Sequence, residues 1–169
     1  MVKDLVYYKN CFESLSVNKK GGQQAPHKPL LLLAVIDLVE CGIIKSPQIE
    51  LTEALSTAFK INETRFTRRL VHFKPNIGMP FYHMRAEPFW RLVPKTPGTA
   101  PCTYAISSLR KFYKCAEIEP ELFELMKDPI SCKRLREILI RTYLQKRTDT
   151  MQSLTPIVLM ASCLCQLIA

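Results

Sequence analysis

Apolar residues recur at helical spacing from the start of the chain. Leu5, Tyr8, Phe12 and Leu15 share one face of LVYYKNCFESL and predict a first helix. VNKKGGQQ (Val17 to Gln24) breaks the pattern as a basic, glycine-containing loop. Pro26 and Pro29 then prepare a second helix, because proline is tolerated in a first turn whose N–H groups have no intrahelical partner. Leu30 to Val39 is too apolar for an exposed helix and predicts the central core, with Gly42 ending it.

A short strand is expected within Ile43 to Ile49. Thr52 is the expected N-cap of a third helix that buries Ala54, Leu55, Ala58 and Phe59. Phe66 to Phe73 is expected to continue helically, with Arg65, Arg68 and Arg69 to one side. Phe81 to Met84 and Phe89 to Val93 are short aromatic-rich runs around Arg85-Ala86-Glu87-Pro88, which predicts a β-hairpin. Lys95 to Pro101 reads as a loop and Tyr104 to Ile106 as a short strand. Helices are expected over Leu109–Cys115, Glu121–Met126 and Cys132–Leu144, the last with Leu135, Ile138, Leu139 and Tyr143 as its stripe.

The fold class that follows is α+β, mainly α: a helical single domain with a small β-hairpin and a winged-helix-like outline. The domain spans residues 1–150. Residues 151–169 form an apolar tail, expected to be a packed helix and too short, with Pro156 inside it, to span a membrane.

Charge adds a partner class. The 24 Lys and Arg against 15 Asp and Glu leave +9. Residues 1–60 carry 7 basic and 6 acidic residues (+1), residues 61–100 carry 7 and 2 (+5), and the remainder 10 and 7 (+3). The middle of the chain is therefore the expected contact surface for a polyanion, with nucleic acid ahead of membrane. The seven cysteines are scattered and lack a CxxC pair, so no zinc site is expected, and reduced thiols point to the cytoplasm.

Catalytic patterns are missing. The three histidines, His27, His72 and His83, do not sit in an HNH framework. A PD-(D/E)xK triplet, a phosphate-binding P-loop and a Gly-x-Ser-x-Gly elbow are also absent. The chain reads as a binding protein rather than an enzyme, and no cofactor is expected.

Two segments together carry a family resemblance. Ala25-Pro-His-Lys-Pro-Leu-Leu-Leu-Leu and Met79-Pro-Phe-Tyr-His-Met-Arg-Ala-Glu-Pro-Phe-Trp-Arg-Leu resemble the sulfur-binding domain of bacterial HNH-type, modification-dependent restriction endonucleases. The likeness covers Met1 to Leu144. It departs from the family in lacking the HNH nuclease half and in placing Met79 where an aromatic residue often precedes the proline matched to Pro80. The resemblance implies recognition of double-stranded DNA in which sulfur replaces one non-bridging phosphate oxygen.

Met79, Pro80, Tyr82 and His83 are then the expected apolar cup for the sulfur, with His27 and Lys28 as a cationic rim held at the surface by the two prolines. Lys19, Lys20, Gln23, Gln24, Arg65, Arg68, Arg69, Arg85, Arg110 and Lys111 are the expected contacts to phosphates and bases. Arg85 has a plainer reading as the ion-pair partner of Glu87. Two alternatives stay open: a winged-helix transcription regulator, and the recognition half of an HNH endonuclease. A homodimer and a partner nuclease are both open as assemblies.

Overall fold

The fold is taken from a computed structural model, which describes residues 3–20, 23–67, 76–98 and 103–144. Its centre is helix α2 (His27–Glu40), in which every residue from Lys28 to Ile36, and then Leu38 and Val39, is buried. A helix apolar on all sides must be covered on all sides. Helices α3 (Glu53–Thr67), α4 (Gly78–His83), α6 (Pro120–Lys127) and α7 (Pro129–Leu139) all pack against it. Helix α1 (Leu5–Glu13) closes the assembly over α6 and α7, burying Tyr8 and Phe12.

The ends of α2 follow from its sequence. Pro29 sits in the first turn, and the Leu30 N–H donates to Pro26 O at 3.0 Å. At the far end Gly42 adopts φ +69°, its N–H reaches Val39 O and the Ile43 N–H reaches Leu38 O. That is a Schellman ending, and its left-handed residue is glycine because a Cβ is disfavoured there. The two acidic residues of α2 face one cation. Arg136 of α7 donates to Asp37 and to Glu40 (2.6 Å), and Asn62 of α3 donates to the second Asp37 oxygen at 2.6 Å. This partly buried network locks α2, α3 and α7 together.

Helix α3 starts where expected: the Thr52 hydroxyl accepts the Leu55 N–H at 3.2 Å. It runs to Thr67. The expected continuation to Phe73 lies outside the described residues, as does the tail 151–169.

Strands are few and short. β1 (Lys19–Lys20) pairs with β2 (Gln23–Gln24) as a small antiparallel ribbon. β3 (Gln48–Ile49), β4 (Trp90–Pro94) and β5 (Tyr113–Ile118) form an antiparallel sheet in the order β3-β5-β4. Helix α5 (Ile106–Phe112) lies between β4 and β5. The order α2, β3, α3, α4, β4, β5, with residues 95–112 as the excursion between the last two strands, is winged-helix connectivity.

Three expectations are corrected. The aromatic runs do not pair as a hairpin: residues 78–83 are helical, 84–86 form a 3-10 turn, and only 90–94 are a strand, paired with the distant β5. Pro80 explains part of this, since it occupies the first turn of α4, where its missing N–H costs nothing. The expected strand at Tyr104–Ile106 is instead the approach to α5. The expected helix over Leu109–Cys115 ends at Phe112, and Tyr113 opens the central strand β5. Cys115, Ala116 and Ile118 of β5 are all buried, so the strand shows no alternation and its periodicity looks helical.

Candidate nucleic-acid interface

The two quoted motifs meet in space. Helix α4 packs on α2, and His83 lies close enough to Lys28 and Arg85 for both charges to act on its imidazole. Gly78 makes the close packing of α4 achievable. A Cβ there would collide with the backbone carbonyl oxygen of Tyr104, so only glycine fits. On the face of α4, Met79 is 43% exposed while Pro80 and Tyr82 lie beneath the surface. His83 is exposed, with its ring 4.9 Å from that of Tyr104 and 5.4 Å from that of Tyr82.

The cations are arranged differently from expectation. Lys28 is not a surface rim. Its side chain is 9% exposed, and Nζ lies 2.5 Å from Oε1 of Glu87, itself 5% exposed. The same Glu87 oxygen accepts the Ser16 N–H at 3.1 Å. The pair is sealed and neutral overall. Lys28 lies in the first turn of α2 and reaches inward to the residue that ends the 3-10 turn. His27 is half-buried, and burial lowers its pKa, which favours the neutral imidazole.

Glu87 being taken, Arg85 does not pair with it. The Arg85 guanidinium lies over the Tyr82 ring, 3.9 Å from its centroid, and donates to the Tyr82 hydroxyl. A cation held on an aromatic face is pre-organised and still exposed. Burial, followed by the neighbouring Arg85 and Lys28 charges, lowers the His83 pKa. The expected cup is thus corrected: Met79 and His83 are exposed, Pro80 and Tyr82 are buried, and the Arg85 guanidinium is held on the Tyr82 ring.

Tyr104 and Tyr113 belong to this patch but were not anticipated. Their rings stand 5.1 and 6.1 Å from that of Tyr82. Tyr113 arrives on β5 and Tyr104 just before α5, and no local pattern links either to α4. Burial, followed by Tyr82, raises the Tyr113 pKa.

The remaining candidates are spread around this centre. Lys19, Lys20, Gln23 and Gln24 make the β1–β2 ribbon, which is closed by the Ala25 N–H donating to Asn18 O at 2.7 Å. Their side chains lie outside what is described. Arg65 is exposed near the end of α3, over the Phe66 ring. Arg68 and Arg69 lie outside the described residues. Arg110 and Lys111 are exposed on α5, and Arg110 Nε donates to Leu51 O at 2.6 Å.

Among the described residues no group of three or more His, Cys, Asp or Glu side chains is placed to hold a metal ion. Among them, too, no helix is long and apolar enough to cross a membrane. Compared with known proteins, the chain matches no protein-family model and no curated protein.

Proposed function

We propose that the chain binds double-stranded DNA carrying a phosphorothioate, without cutting it, and that the face of α4 receives the sulfur. The observation that carries this reading is Met79, exposed on a helix that packs on α2 and whose Tyr82 ring holds the exposed Arg85 guanidinium. The resemblance to the sulfur-binding domain rests on the quoted motifs, and the packing of those motifs on each other supports it.

The chemistry is a matter of unequal costs. Sulfur is larger and more polarizable than oxygen and a poorer hydrogen-bond acceptor. An exposed thioether such as that of Met79 gains dispersion contacts with it. Phosphate oxygen on the same surface loses water and finds no donor, a penalty of about 1–3 kcal/mol per unsatisfied group. Arg85 then supplies attraction to the charged group without filling the cup, and exposed cations such as Arg65 and Lys111 hold flanking phosphates. Lys28 acts indirectly here: its bond to Glu87 fixes the turn that follows α4.

The test is a titration of one duplex with a single Rp phosphorothioate against its unmodified twin. Tighter binding of the sulfur duplex, and loss of that preference in Met79→Asp, is the expected result. Equal affinity of the wild-type protein for both duplexes would sink the proposal.

A second reading, a winged-helix regulator of unmodified sites, is favoured by the connectivity of α2 through β5. It requires tight, sequence-selective binding to unmodified DNA.

A further inference from the structure

A cavity of about 330 Å³ opens where the sheet, the start of α3 and the excursion 95–112 meet. Its floor is apolar, made by Phe81, Leu109 and Cys115. Its cations are Lys95, Arg110 and Lys114, against the single carboxylate of Glu50. All three cations are exposed, and the ion pairs among the described residues involve none of them. Arg110 is held by its bond to Leu51 O, and the Lys95 backbone N–H donates to Phe112 O at 2.8 Å.

The wider charge pattern points the same way. Residues 91–114 contain Arg91, Lys95, Arg110, Lys111 and Lys114 and no acidic residue. Of these, Arg91 pairs with Glu117, while Lys95, Arg110, Lys111 and Lys114 take part in none of the ion pairs among the described residues. The cavity also borders α4. Phe81 belongs to α4, and Tyr113 lines the cavity while its ring stands 6.1 Å from that of Tyr82.

We propose that this cavity cradles a phosphodiester of the DNA strand flanking the α4 face, with Lys95, Arg110 and Lys114 as its cations. The proposal rests on the DNA-binding reading above and extends it to a second contact. The apolar floor suits a deoxyribose beside the phosphate, which favours a nucleic-acid strand over a free phosphate ion. A cation set of this kind adds affinity and salt dependence but no preference for sulfur.

The experiment compares wild type, Lys95→Ala/Lys114→Ala and a charge-matched control, Lys133→Ala/Arg134→Ala on α7. Each is titrated with the modified and unmodified duplexes at several salt concentrations. Each phosphate contact contributes a slope of about 0.9 in log K against log salt. The cavity variant is expected to have a slope shallower by about 2, with its ratio of modified to unmodified affinity unchanged. The control is expected to keep the wild-type slope.

A cavity variant with the wild-type slope overturns the proposal, as does an equal loss in the control. Saturable binding of inorganic phosphate by wild type, lost in the cavity variant while the DNA slope is unchanged, also overturns it, by assigning the cavity to free phosphate. If wild type binds both duplexes equally, the sulfur reading fails while the slopes still test the cavity. If wild type binds no DNA, both fail.

Discussion

Replacing Lys28 with methionine keeps its length and volume and removes its charge. The partner left behind is the Glu87 carboxylate, 5% exposed, with the Ser16 N–H as its remaining donor at 3.1 Å. Breaking a buried pair by removing one member costs about 3–5 kcal/mol, because the survivor is an uncompensated buried charge. In a domain of this size each kcal/mol moves the melting temperature by about 2–4 °C, so Lys28→Met should lower it by about 6–20 °C. The double variant Lys28→Met/Glu87→Gln keeps an acceptor for Ser16 and buries no charge. It should recover most of the loss. Urea unfolding followed by the fluorescence of the buried Trp90 reads both variants, since that is the only tryptophan. A further readout separates structure from binding: a cation paired inside the protein releases no DNA counterion, so the double variant should keep the wild-type salt slope. A single variant destabilised by less than about 1 kcal/mol, or a double variant worse than the single, would refute the assignment of Lys28 as a buried structural cation.

Two further outcomes are expected. Gly78→Ala drives a Cβ into the Tyr104 carbonyl oxygen, so the backbone must shift; a loss of about 1–3 kcal/mol in urea unfolding is expected, and an unchanged midpoint would show that the contact yields freely. Burial lowers the pKa of both His27 and His83 in the folded protein. The unfolded chain therefore binds more protons below about pH 6.5, so stability is complete above that pH and falls as pH drops through the folded-state values. The urea midpoint should be lower at pH 5.5 than at pH 7.5, with a smaller difference in His27→Gln; an identical pH dependence in wild type and variant would remove His27 from this account.

Much of the fold could be read locally. Leu30 to Val39 has no polar face, which leaves a helix there no choice but the centre. Thr52 and Gly42 mark helix ends by side-chain chemistry and backbone freedom that act within a few residues. The segments read wrongly share one property: their structure depends on distant partners. Trp90 to Pro94 is a strand because Tyr113 to Ile118 lies beside it, and Phe81 is helical instead of strand because Pro80 can occupy a first turn packed on α2.

The candidate site divides in the same way. The apolar and cationic residue types of the two motifs were set by the sequence alone, while the packing of the second motif on α2 came only with the fold. Which cation faces water was decided only in three dimensions. Lys28 and Arg85 both had a claim on Glu87, and nothing local chooses between them. Burial chose: the long, flexible lysine on packed α2 could reach inward to Glu87, while the planar guanidinium found the Tyr82 ring and stayed exposed. Ion pairing is a competition among all charges within reach, and reach exists only once α2, α4 and β5 have packed.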